Sequence, residues 1–341
     1  MFGPAINMIL GVRPAHESDI DSIICLLRTG FGPHCTTETW RRLFEHPNAT
    51  SQPNFGFVLH SRNQLVGFLG GIYSKRPVGN RVECFCNLSS WYTVPEFRSS
   101  SVMLLMAMLS QRGYTFSSLT PSETAAQVLQ AFGFRTLDSY KLLCGPWLYR
   151  SLVRRKTRIA PRKSPFYLVS RALEMLIEAP LLKGLDLVRE HSPTHVNCRG
   201  AELLAGADLV RPMLSDTDRQ LLDDHRGCGH FLVRNGRSYS YIVTVKRRID
   251  FGGPSLVDYV VSDLLHLSAR QLAMQYWPAL GQLIVRHQGS QAIMADERFL
   301  GPERPEGLRV PYRSYFMSRS GVDPTHIDGL YTELPLLYDR D

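Results

Sequence analysis

The sequence has no apolar run approaching the ~18 residues that cross a bilayer, which excludes a membrane-spanning helix. Its first residues carry no basic cap ahead of a long apolar stretch, so they do not read as a signal peptide. The seven cysteines are odd in number and irregularly spaced. That argues against a disulfide framework and for reduced thiols in a cytoplasmic protein. There is no zinc-finger spacing, no nucleic-acid-binding motif and no interleaving of basic with aromatic residues, so nucleic acid is not an expected partner.

What is present is an ordinary globular composition, 44% hydrophobic and 21% charged, over 341 residues. That length predicts about two domains. The net charge of +8 is uneven: +4 over residues 1–150, +5 over 151–195 and −1 over 196–341. An excess on the first half and on a connector suits a phosphorylated cofactor, an acidic carrier protein or an anionic lipid surface.

Periodicity and turn signals give the first half a strand near 8–13, a helix near 18–29 capped by Ser18, and a second helix from Thr36 or Thr37 to His46-Pro47. A hairpin follows, 55–60 and 64–74 around Ser61-Arg62-Asn63, and then a long strand 81–94. Helix 100–112 is apolar on most faces and should be buried, and strand 114–119, helix 122–132 and strand 134–143 complete a domain over 1–145. The connector 146–195 begins with seven basic residues and no acidic one between Arg150 and Lys163, then shows apolar residues at helical spacing. In 196–341 the order recurs: helix 216–225, hairpin 230–234 and 239–247 around Asn235-Gly236, strand 256–261, helix 268–280, strand 291–295. The predicted fold class is α/β, with two domains, each a twisted, mostly antiparallel mixed sheet flanked by helices.

The most informative stretch is Leu88 to Ala107. It reads as a buried strand ending at Val94, a turn through Pro95-Glu96-Phe97, and a helix opening near Ser99 with Arg98 at its mouth. A helix N-terminus offers free N–H groups and partial positive charge, and an adjacent arginine strengthens an anion site there. Two cysteines, Cys84 and Cys86, share one face of the same strand without a fixed histidine partner and read as structural thiols. His225-x-x-Cys228-x-His230 sets three ligands within six residues across a tight turn with no fourth, poor geometry for zinc. The segment Asp328 to Glu333 is compact and mixed; it closes the second domain or lines the cleft between the halves.

The order strand, arginine turn, helix, strand, helix and Gly133-Phe134, with the opening phrase Val12-Arg13-Pro14-Ala15 to Asp19, resembles the GNAT superfamily of acyl-CoA-dependent N-acyltransferases over residues 9–143. The second half resembles a degenerate copy, as in tandem relatives in which one half has lost the cofactor site. The family pattern Gln/Arg-x-x-Gly-x-Gly/Ala stands here as Arg98-Ser99-Ser100-Ser101-Val102-Met103, the arginine kept and both small positions changed. The resemblance implies that Val94, Arg98, Ser99, Ser100, Ser101 and Val102 hold acetyl-CoA or a longer acyl-CoA, or an acyl carrier protein. It implies no metal. The Val94 N–H would polarise the thioester carbonyl, Glu83 would take the amine proton, and Trp91 and Tyr92 would line the substrate pocket of a small-molecule amine, held in the cleft between the halves. Leu129 stands where relatives often place a tyrosine acid, and Ser122 where they place an asparagine. The basic and amphipathic stretch 150–190 would dock an acidic carrier protein or an anionic membrane face. The alternative is a non-catalytic GNAT-like scaffold or binding module.

Overall fold

The computed structural model describes residues 10–32, 35–45, 52–145, 195–198, 200–249, 259–305 and 307–337. The basic stretch 150–190, nearly all of the expected connector and the loop 251–254 lie outside the described residues.

The chain opens with β1 (Leu10–Pro14) and a single 3-10 turn that leads into α1 (Ile20–Phe31). Ser18 is not the cap. The Asp19 carboxylate accepts the His16 N–H at 2.9 Å and the Arg13 guanidinium at 2.7 Å through both oxygens. That guanidinium, more than any other neighbour, holds Asp19 below the usual carboxylate range. In α2 (Thr37–Arg41) the Thr36 hydroxyl accepts the Thr39 N–H at 3.1 Å. The hairpin β2 (Gly56–Ser61) and β3 (Gln64–Val78) is followed by β4 (Arg81–Thr93), entered through Gly79 at φ +59°. Then come α3 (Val102–Ser110), β5 (Tyr114–Ser118), α4 (Glu123–Ala131) and β6 (Arg135–Cys144). Ser122 caps α4, its hydroxyl accepting the Ala125 N–H at 3.2 Å.

The second half runs β7 (His195–Cys198), β8 (Ala201–Ala205), α5 (Ala207–Val210), α6 (Asp216–Asp224), β9 (Gly229–Asn235), β10 (Ser238–Ile249) and β11 (Tyr259–Leu267). It ends with α7 (Arg270–Gln275), α8 (Trp277–Gln288), β12 (Ala292–Asp296), α9 (Glu297–Leu300), β13 (Leu308–Met317) and α10 (Leu334–Leu337). The single helix expected over 268–280 is two helices. Pro278 sits in the first turn of α8, where its missing N–H costs nothing.

These elements form two compact units that are not contiguous in sequence. The first holds the described residues through Leu137 with Arg313–Ile327 and Tyr331–Leu337; the second holds Asp138–Tyr312 and Asp328–Leu330. The expected boundaries at 145 and 196 are therefore replaced by an exchange of final strands. In the first unit the strand order is β1-β2-β3-β4-β5-β13, closed by Tyr315–Met317 lying antiparallel on Phe116–Ser118. In the second the order is β7-β8-β9-β10-β11-β12-β6, closed by Lys141–Cys144 on Ile293–Asp296. Within each described ladder every pairing is antiparallel except one, β4 with β5 and β11 with β12.

In the first unit the sheet is covered on both faces. Leu104, Leu105 and Met108 of α3 and Leu129 of α4 pack on Leu59, Leu69 and Leu88. On the other face Ile23 and Leu27 of α1 and Trp40 of α2 pack on Val58, Phe68 and Ile72. Each fully buried side chain of this size is worth about 1.5–3 kcal/mol. The expectation that α3 is buried on most faces holds for one face only, since Met103 and Met106 are exposed. In the second unit α8 packs Leu280, Leu283 and Ile284 on Phe231, Ile242 and Leu264. That unit also buries a lattice of charge. Lys141 Nζ lies 2.8 Å from Asp263 and 3.5 Å from Asp296, Arg247 lies 2.9 Å from Asp263, and Arg298 bridges Asp138 and Asp296 at 2.6 and 3.0 Å.

Candidate functional site

The first unit contains a split between two parallel strands. β4 and β5 pair over only four residues, from Cys84 opposite Tyr114 to Asn87 opposite Ser117. Beyond that point β4 continues through Leu88–Thr93, paired on the β3 side and, among the described residues, without a ladder partner on the β5 side. The cause is a bulge. Between Ser89 and Tyr92, two β4 residues, Ser90 and Trp91, oppose the single residue Leu69 of β3. Such an insertion bends and twists its strand, here away from β5. Ser90 takes φ +53°, a left-handed conformation that costs a serine on the order of 1 kcal/mol.

All the residues expected to form the site except Glu83 lie on β4 beyond its stretch paired with β5 or in the turn that follows it, up to the first residue of α3. Val94 does not supply the free donor: its N–H is given to the Val66 carbonyl at 2.9 Å, on the β3 side. Because the ladder alternates, the neighbouring Thr93 N–H points the other way, to the open edge. Only the position of the bulge reveals this, so Thr93 was not legible in the sequence. Trp91 and Tyr92 lie on opposite faces. Trp91 joins the cluster under α3 and α4. The Tyr92 ring lies on α1, where a Cβ on Gly30 would fall 2.4 Å from a ring carbon. Trp91 Nε1 and Thr93 Oγ1 are both buried without a hydrogen-bond partner among the described residues. Buried polar atoms of this kind are rare and call for a partner.

The loop after β4 is not an open cradle. Pro95–Ser100 coils as a 3-10 helix, a geometry that turns each N–H to the carbonyl three residues back. The flanking bonds continue the pattern: Phe97 N–H to Val94 O at 3.0 Å and Ser101 N–H to Arg98 O at 3.1 Å. The amides of Ser99, Ser100 and Ser101 are thus turned inward along the coil, while the Arg98 side chain is exposed at its end and Val102 begins α3.

Glu83 is not brought to the split. It sits near the start of β4, four residues before Asn87 and so about 13 Å away along the strand. There it accepts the Ser320 hydroxyl at 3.1 Å and faces Arg81 at 3.8 Å. Cys86 is fully buried, its thiol pushed up by burial, and lies 3.8 Å from Met108 Sδ, as a structural thiol should. Leu129 is core.

The mostly antiparallel mixed sheet flanked by helices is what the resemblance implied. In these features the first unit resembles the family that its sequence suggested. No family model matches the sequence, and a search of curated proteins finds no match. Solved structures similar to this chain include a GCN5-related N-acetyltransferase from Kribbella flavida, 14% identical over 92% of this chain and 72% of that one, at a TM-score of 0.49. They also include the N-myristoyltransferase of Saccharomyces cerevisiae with bound myristoyl-CoA, 8% identical over 98% and 86%, TM-score 0.48. A putative acetyltransferase from Pyrococcus horikoshii is 11% identical over 97% and 96%, TM-score 0.45.

The second unit shows the same kind of parallel pairing and bulge but not the open edge. β11 pairs in parallel with β12 only from Val261 to Asp263 and bulges at Leu265. Its free edge there is taken by the segment Asp328–Leu330. Gly329 N–H donates to Leu265 O at 2.9 Å, and the Asp328 carboxylate lies 2.9 Å from His266 Nδ1 while accepting the Leu330 N–H at 3.1 Å. A Cβ at Gly329 would lie 2.8 Å from the end of the Leu265 side chain and 3.2 Å from its Cα, so a larger residue here would have to shift the contact. Among the described residues no cluster of three metal-ligating side chains occurs. Of the His225-Cys228-His230 trio, His225 Nδ1 lies 2.9 Å from the Leu221 carbonyl, and His230 spends its nitrogens on the His225 carbonyl at 3.0 Å and Tyr241 Oη at 2.8 Å. Among the described residues no helix is long and apolar enough to cross a membrane.

Proposed function

We propose that this protein is an N-acyltransferase whose first unit binds an acyl-CoA, or the acyl-phosphopantetheine of a carrier protein, and transfers the acyl group to an amine of a small molecule. The observation that carries this reading is the open edge of β4 at Leu88–Thr93, on a strand where Trp91 Nε1 and Thr93 Oγ1 are buried and lack partners among the described residues. A pantetheine arm is a short chain of amides. Lying along that edge it would pair with β4 as a missing strand does, and its carbonyls suit the two unmet donors.

The chemistry asks little of side chains. With the thioester in the split, the Thr93 N–H is placed to polarise its carbonyl, a fixed dipole aimed at developing negative charge. The neutral amine attacks the carbonyl carbon, the C–N bond forms as the C–S bond breaks, and the thiolate leaves. Holding both reactants at the split supplies much of the rate. With core Leu129 in place of an acid, the thiolate takes its proton from water. The diphosphate of CoA would meet Arg98 and, once the 3-10 coil opens, the amides of Ser99 through Val102. Residues 150–190 are the proposed dock for an acidic carrier protein or an anionic membrane face.

The inward-turned coil favours a second reading, a GNAT-like scaffold without catalysis. Calorimetry with acetyl-, octanoyl- and palmitoyl-CoA and with an acylated carrier protein separates the two. Binding that weakens on Arg98→Ala supports the transferase. Absence of binding to every donor leaves the scaffold.

A further inference from the structure

Acyl transfer to an amine needs a group that takes a proton from the attacking nitrogen, and Glu83, at the far end of β4, is not placed for it. The first unit holds another carboxylate, tied to the chain just beyond the β5 side of the split. The segment Tyr331–Leu337 belongs to this unit and packs Tyr331, Leu336 and Leu337 on the α1–α2 face, in the same cluster that receives Tyr92 from the β4 lip. From that face the segment reaches the other lip. The hydroxyl of Thr120, two residues beyond the end of β5, donates to the Glu333 carboxylate. Glu333 is fixed from behind as well: its carbonyl accepts the N–H groups of Leu336 and Leu337 at 3.2 and 2.9 Å, closing the turn of α10. Glu333 is only 6% exposed, whereas Thr120 beside it is open to solvent. Tyr331, two residues earlier, takes φ +53°, a further local cost that sets the direction of the segment.

Trp91 occupies the opposite, α3–α4 face of β4. An arm lying along the split therefore has Trp91 on one side and the Glu333 segment on the other. We propose that Glu333 is the catalytic base, the carboxylate that receives the proton of the acceptor amine as nitrogen attacks the thioester, and that Thr120 positions it. In this step the C–N bond forms, the C–S bond breaks, the ammonium proton passes to the Glu333 carboxylate, and the departing thiolate is protonated by water. The inference rests on the transferase reading above and replaces the role expected of Glu83.

The test uses the full-length protein, octanoyl-CoA as donor and benzylamine and glycinamide as probe amines, with thiol release followed against pH. Calorimetric binding of octanoyl-CoA is measured for each variant as the check on folding and on the donor site. Glu333→Gln should bind the donor as wild type does and lose about 10²–10⁴-fold in kcat/KM, the usual worth of a general base. Glu333→Ala should regain at least about tenfold of its lost rate when formate is added, a rescue that a merely structural carboxylate would not show. Thr120→Val should lower kcat with little change in KM for the donor. A Glu333→Gln rate within about threefold of wild type, loss of donor binding in both Glu333 variants, absence of formate rescue, or a larger loss in Glu83→Gln would overturn the assignment. Wild-type protein that binds no acyl-CoA refutes the transferase reading instead. Wild-type protein that binds the donor but acylates neither amine contradicts the acceptor side, and the role of Glu333 falls with it.

Discussion

Acidification should destabilise the second unit through one buried histidine. His230 is 1% exposed. Its ring is satisfied as the neutral form: Nε2–H donates to the His225 carbonyl at 3.0 Å, and Nδ1 accepts the Tyr241 hydroxyl at 2.8 Å. Burial, with no carboxylate opposite, pushes its pKa down to about 4 from an ordinary value of 6.5. Between those values the unfolded chain binds a proton that the folded chain refuses. Stability is therefore fully present above pH 6.5 and falls as the pH drops toward 4. At about 1.4 kcal/mol per pKa unit the whole effect is on the order of 3 kcal/mol, of which about 2 kcal/mol is lost between about pH 7.5 and pH 5. Asp138 contributes a slope of opposite sign, because burial and the nearby Asp296 charge raise its pKa, so that its stabilisation is lost as the pH rises. The slope of His230 is thus read as a difference. Urea midpoints of wild type and His230→Gln are compared at the two pH values, with the second unit followed by exchange protection of β9 and β10. The wild type should lose about 2 kcal/mol more than the variant on acidification. Equal losses would refute the assignment of a neutral, proton-refusing ring.

Other expectations can be checked with simple assays. Asp263→Asn leaves Lys141 and Arg247 facing a neutral amide in a buried lattice and should cost about 3–5 kcal/mol by urea denaturation, while Lys141→Met and Arg247→Met combined with Asp263→Leu should recover most of it; a loss under about 1 kcal/mol for the single change would contradict the lattice. Gly30→Ala gains about 1 kcal/mol of helix propensity but drives a methyl into the Tyr92 ring, so the melting temperature should fall; a rise would show that the ring is free to move. Alkylation followed by mass spectrometry should modify exposed Cys25 first and leave Cys86 and Cys144 untouched until unfolding, since both thiols are buried and burial pushes Cys144 up to about 12; early modification of either would place it at the surface.

Much of this architecture was legible in local pattern. The hairpin turns at Ser61-Arg62-Asn63 and at Asn235-Gly236 are short-range signals, and the strands on either side fall where those signals put them. What failed depends on contacts distant in sequence. β13 escaped notice because Pro311 interrupts it, and proline demotes a run read as a strand. The exchange of β6 and β13 leaves no trace in periodicity, since an antiparallel partner looks the same whichever part of the chain supplies it. α3 is apolar nearly all round, so its sequence could not reveal that Met103 and Met106 face solvent. Glu83 and Val94 were read from position along a strand. A single inserted residue in a bulge reverses which amide faces the open edge, and the start of the split decides which carboxylate is near it.

The central claim is that the chain has one acyl-donor slot, in the first unit, and that its counterpart in the second is closed by Asp328–Leu330. Hydrogen exchange of the full-length protein with and without saturating octanoyl-CoA tests this directly. Slowed exchange confined to Leu88–Val102 and Tyr114–Ala131, with Tyr259–Leu267 unchanged, is the predicted result. Protection along β11, or none along β4, would contradict it.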